Sequence, residues 1–155
     1  MWSKNKSVVL SIGVCIVFAV ILTLGVFIGP WVVEKWFCVY RGWSREGEAL
    51  RHMLALFKAC FYPSAVFAYV TLYSLLRLLF NIRQEQVFIK KNVQYLQWIC
   101  WCCFAVALIT GIGGLQYLPF WFIAVAAAFV GLMLRVVKNV MQNAVEIKAE
   151  NELTI

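Results

Sequence analysis

The chain has 155 residues, of which 64% are hydrophobic and only 14% charged, yet its formal net charge is +7. Soluble domains average about 45–50% apolar residues, so only lipid could cover this much apolar surface, and a water-soluble enzyme or nucleic-acid-binding domain is excluded as a class. The basic excess is the ordinary signature of Lys and Arg in cytoplasmic loops and implies no direct nucleic-acid partner. A single transmembrane domain over 1–155 is the expected organisation.

A short basic start (Lys4, Lys6) leads into a charge-free apolar run over about 8–29, long enough to span a bilayer. A cleaved signal peptide would have a core of about 7–15 residues and a small-x-small site. This run is longer and lacks that site, so a retained first helix is expected. Gly29-Pro30 predicts a bend, and Trp31 and Trp36 suit an interface. A hydrophilic segment of mixed charge follows, over 34–51. Within it Ser44 is the expected N-cap of a second helix, and Glu48 falls in its first turn, where a carboxylate favours the helix dipole.

The second span covers about 54–79, with Lys58 and Arg77 near its two ends, where both can snorkel to a surface. Pro63 is a candidate kink. The connection over 80–92 is short and basic. The third span, about 93–115, opens with Tyr95, Trp98 and Trp101 and closes on Gly111, Gly113 and Gly114. Pro119, tolerated in a first helical turn, starts a fourth span over about 119–135, which is short, so Arg135 is expected to snorkel. No Gly or Pro follows Gly131. The fourth helix should therefore run on as an amphipathic segment and tail over about 136–155, beyond the roughly 30 Å that the hydrocarbon core accommodates. The fold class is all-α: four transmembrane helices in an up-down bundle, the fourth extended into the cytoplasm.

Basic residues set the orientation. One side carries nine (Lys4, Lys6, Arg77, Arg83, Lys90, Lys91, Arg135, Lys138 and Lys148). The other carries five, with three acids. Both termini are expected in the cytoplasm. Arg83, Lys90, Lys91, Arg135 and Lys138 form a collar able to contact lipid headgroups, although the orientation signal alone accounts for them. In the tail segment Val137, Val140, Met141, Ala144, Val145 and Ile147 recur at helical spacing as an apolar stripe. Headgroups, the second connection or a partner must cover it. Val137, Val140, Met141, Ala144 and Ile147, with Leu153 and Ile155 in the tail, are the candidate partner-binding residues.

Catalytic and metal-binding residues are expected to be none, and no cofactor is implied. His52 stands alone, whereas zinc needs three or four ligands, and no Asp, Glu or His lies in the middle of a span, where proton relays and ion sites occur. Cys100 and Cys103 form a C-x-x-C inside the third span. A membrane thiol-disulfide oxidoreductase is the alternative they raise, against packing as small hydrophobes. A subunit of a homo-oligomeric channel or transporter is a further alternative.

The stretch NIRQEQVFIKKNVQYLQWICWCCFA and the ending LRVVKNVMQNAVEIKAENELTI resemble the YoaS-like family of small bacterial four-helix membrane proteins, catalogued as a domain of unknown function. Val87-Phe88, Asn92-Val93 and Leu96 are the specific positions, together with the acidic Leu-Thr-Ile ending. Ile89 departs from the small capping residue expected there. The family transfers no catalytic residues. Its genes often neighbour one for a small helix-turn-helix repressor. The resemblance therefore implies a protein of the bacterial inner membrane that holds or releases a cytosolic transcription regulator.

Overall fold

The computed structural model describes residues 4–42 and 47–153, with side chains over 8–42 and 47–151. It is all-α, with α1 over Lys4–Tyr40, α2 over Glu48–Arg83, α3 over Lys90–Gly114 and α4 over Pro119–Leu153. All four are long and apolar enough to cross a membrane, the pattern of a multi-pass membrane protein. Connections as short as these impose antiparallel neighbours, and the contacts agree. Along α1 and α2, Gly29 approaches Phe57 and Phe61, while Thr23 meets Tyr69. Between α3 and α4, Gly114 sits on Trp121 and Gly131 on Cys103 and Phe104.

The helices pack in sequence, α1 on α2, α2 on α3 and α3 on α4; among the described residues the backbone of α1 approaches neither α3 nor α4 closely. The expected up-down order is present, but the bundle is open between α1 and α4. A cavity of about 310 Å³ remains there, with Phe18 and Leu22 on one wall and Ala127 on the other. The cause lies in α1, whose side chains point mostly outward. Among its described side chains only Cys15 and Phe37 are buried.

The expected bend at Gly29-Pro30 does not end the first helix, which continues through Pro30 to Tyr40. In apolar surroundings a break would strand several backbone groups, whereas a proline within a helix removes one hydrogen bond. Gly42, at a φ of +64°, follows the end of α1 in the left-handed region that favours glycine. Ser44 lies outside the described residues. The N-cap position of α2 is Gly47, and Glu48 occupies the first turn as expected.

The antiparallel pairings also level the helices against one another. Lys58 and Arg77 bound a charge-free stretch of α2, about 27 Å long at 1.5 Å per residue. The uncharged stretches of the other three helices fall beside it. The helix ends outside this layer form two ends of the molecule. The hairpin end carries the α1–α2 connection and the α3–α4 turn, and Phe37 meets Tyr117 across it at 6.1 Å between ring centroids. The tail end carries the start of α1, the α2–α3 connection and the last turns of α4.

Candidate functional site

The tail end gathers most of the residues with chemical potential, and its connection is built more tightly than its sequence suggests. At the end of α2 the backbone N–H of Gln86 donates to Asn81 O at 3.0 Å and that of Glu85 to Ile82 O at 3.1 Å. This is a Schellman closure, with Glu85 (φ 61°) in the left-handed position usually held by glycine. The start of α3 has no side-chain cap from Ile89. Asn92 replaces it from inside the helix. Its side chain is fully buried and its Nδ2 donates to Gln86 O and Val87 O, both at 2.8 Å. Its Oδ1 accepts from Asn81 Nδ2 at 2.7 Å. Every polar group of the side chain is thus engaged, and α2, the connection and α3 are locked together. The Asn92-Val93 pattern marked this position, but composition alone placed Asn92 in the loop.

Seen from this knot, α4 passes alongside α3 and beyond it. The pairing of Gly131 with Cys103 sets Val145 about level with Ile89, so the turns after it project past the connection. The apolar stripe read from the sequence divides into two faces. Val145 is buried, with Met141 and Ala144 half-buried on the same side. Val137, Val140 and Ile147 are exposed, at 49%, 65% and 59%. They continue the outward face of the membrane-crossing part of α4, where Phe129, Met133 and Val136 are also exposed. A helical wheel drawn on spacing alone merges these faces, because the positions differ by only about 100°. Gln142 caps Glu146 at 3.1 Å on the polar side. The side chain of Leu153 and the whole of Ile155 lie outside the described residues.

The basic collar also separates. Arg83, Lys90 and Lys91 are exposed around the α2–α3 connection. Arg135 and Lys138 lie deeper, together in one groove of about 370 Å³ between α3 and α4, with Gln97, Cys100, Trp101 and Phe104. Arg77 turns back on its own helix, donating from Nε to Tyr73 Oη at 3.0 Å.

No disulfide joins the cysteines. All six are free. Cys100 lines the groove with Arg135 and Lys138, whereas Cys103 lines the cavity facing α1. Cys60 has a packing role that spacing could not disclose: its Sγ lies against Gly113, near enough to reach Ile109 O at 3.8 Å. The cavity at the open α1–α4 side is lined by uncharged residues. Among the described residues no cluster of three potential metal ligands occurs.

A family described as a protein of unknown function, DUF2975, matches residues 39–155, from the last turn of α1 through the tail of α4. The chain belongs to the DUF2975 family. The expected membership of a family catalogued as a domain of unknown function is thereby met. The DUF2975 match includes the Asn81–Asn92 knot, the α3–α4 groove and the projecting tail, and leaves out nearly all of α1. No curated protein and no solved structure matches the chain.

Proposed function

We propose that this DUF2975 protein is a binding protein of the bacterial inner membrane, with both termini in the cytoplasm, which holds or releases a soluble helix-turn-helix transcription regulator through the projecting end of α4. The observation that carries this reading is the continuation of α4 as one helix to Leu153, past the level of the α2–α3 connection and beyond the buried Val145. A helix of this kind offers a side for docking into a partner groove. The exposed Ile147, two residues beyond the covered Val145, is its apolar contact. Val137 and Val140 lie near the membrane level and fit lipid better than a soluble partner. Met141 and Ala144 support the helix from its covered side.

Truncation after Glu146 retains the buried Val145 and removes only projecting residues. The shortened protein should remain in the membrane fraction and lose the regulator on co-purification from solubilised membranes. Ile147→Asp should do the same, since burying an unpaired carboxylate in a contact is costly. Retention of the regulator at wild-type level by the truncated protein would overturn this reading and move attention to the surface around Arg83, Lys90 and Lys91. Orientation is tested separately in intact cells: a membrane-impermeant thiol reagent should label Cys38 and not a cysteine added after Ile155.

A further inference from the structure

The groove between α3 and α4 has a composition that packing alone does not require. Arg135 and Lys138, one turn apart on α4, share it with Gln97, Cys100, Trp101 and Phe104 of α3, and no carboxylate lines it. Neither cation makes a hydrogen bond or ion pair with a described residue. Lys138 is half-buried and Arg135, one turn away, is exposed on the same groove. Like charges on one groove wall repel each other, and an anion between them offsets that repulsion.

Depth indicates which anion. The helix pairings place Lys138 about level with Gln97 and near the level of Arg77, at the boundary of the charge-free layer. Arg135 sits about one turn further in, level with Cys100. The groove is therefore polar and cationic at its boundary end and apolar toward the layer, where Trp101 and Phe104 line it. Trp101 remains 64% exposed there. A free inorganic anion would leave this apolar wall unused. A phospholipid fills both parts, with its phosphate between Arg135 and Lys138 and an acyl chain along Trp101 and Phe104. The volume, about 370 Å³, is within the roughly 300–1,000 Å³ usual for small-ligand sites.

We propose that the α3–α4 groove is a binding site for an anionic phospholipid, gripped through its phosphate by Arg135 and Lys138. The inference rests on the membrane-spanning part of the functional reading and is independent of the regulator. A failure of membrane insertion would show as protein absent from the membrane fraction, before any lipid is measured.

The test is lipid retention by the full chain purified in detergent and incubated with defined phosphatidylglycerol or phosphatidylcholine, bound lipid being counted by native mass spectrometry. The wild type should prefer phosphatidylglycerol. Arg135→Gln and Lys138→Gln should each weaken that preference about five-fold, and together about thirty-fold, from the usual contribution of a basic residue to anionic lipid binding. Arg135→Lys should recover part of the loss, keeping the charge but not the planar fork, and this recovery separates lost binding from lost folding. The triple variant Arg83→Gln, Lys90→Gln, Lys91→Gln should bind as the wild type does, because these cations lie outside the groove. Equal retention of the two lipids by the wild type would overturn the site. An equal loss in the triple variant would replace it by a general surface field. Displacement of bound phosphatidylglycerol by millimolar sodium phosphate would make it a site for free phosphate, and the lipid assignment would fall.

Discussion

α1 and the α2–α4 unit are both apolar enough to cross a membrane, yet they are held in different ways. α1 carries the most hydrophobic stretch of the chain and the smallest buried share. Its interface with α2 uses Gly25 and Gly29 against the ring of Phe61 and an interhelical hydrogen bond between Thr23 and Tyr69 at 2.8 Å. The other three helices meet through small residues that bring their surfaces close, as at Gly113, Gly114 and Gly131, and through the buried Asn92, which accepts from Asn81 of α2. Within lipid, apolarity does not drive one helix onto another, because lipid tails are as apolar as leucine. Hydrophobicity therefore decides which segments enter the membrane, and small or polar residues decide which of them associate. Nearly all of α1, the helix with the smallest buried share, lies outside the family match.

The comparison is most directly broken at Asn92. Asn92→Ala removes both donations to Gln86 O and Val87 O and leaves Asn81 Nδ2 without its acceptor. Buried groups left unsatisfied cost about 1–3 kcal/mol each, and nearby water can recover part of this at a connection. The expected destabilisation is about 2–4 kcal/mol, read as a lower thermal midpoint by circular dichroism in detergent. Faster proteolysis between Arg83 and Lys90 should accompany it. If the variant unfolds with the wild type, the α2–α3 junction is not the anchor of the unit.

A smaller effect is expected where α2, α3 and α4 come closest. A Cβ added at Gly113 would meet Cys60 Sγ at 2.6 Å, and one at Gly114 would meet the Trp121 ring at 2.6 Å. Overpacking of this kind costs about 1–3 kcal/mol. Gly113→Ala should fall in that range, and Cys60→Ala should recover more than half of the loss when the two are combined, as coupled neighbours do. Additive losses would mean that the two positions do not press on each other.

Helix number and the unbroken fourth helix were legible in the sequence, because length, hydropathy and the placement of Gly and Pro determine them, whereas the first helix runs past Gly29-Pro30 to Tyr40. The groove was legible only in part. Arg135 and Lys138 stood out as cations, but their convergence with Gln97 and Trp101 depends on the pairing of α3 with α4, which no single helix encodes. Asn92 was hidden for a similar reason: a polar residue at a span boundary reads as solvated until its partners, five, six and eleven residues away, fold back upon it. The open α1–α4 side was invisible as well. Closure of a bundle depends on which faces carry small residues, and the outward side chains of α1 look no different in sequence from buried ones.

The smallest expected effects are on α1, and they sharpen the contrast most. Thr23 Oγ donates its proton to Ala19 O at 2.8 Å, so the shared bond with Tyr69 must be donated by the tyrosine hydroxyl. Tyr69→Phe removes that donor and leaves the rest of the interface in place. Interhelical hydrogen bonds in membranes average about 0.6 kcal/mol, so the unfolding midpoint should fall slightly, by far less than for Asn92→Ala. The outward positions Val17 and Ile21, both more than half exposed, should tolerate Leu within about 0.5 kcal/mol, since one apolar side chain replaces another against lipid. A loss at Val17 or Ile21 comparable to that of Gly113→Ala would mean that this face of α1 is packed in the membrane, and α2 could no longer be described as its one close neighbour within the apolar layer.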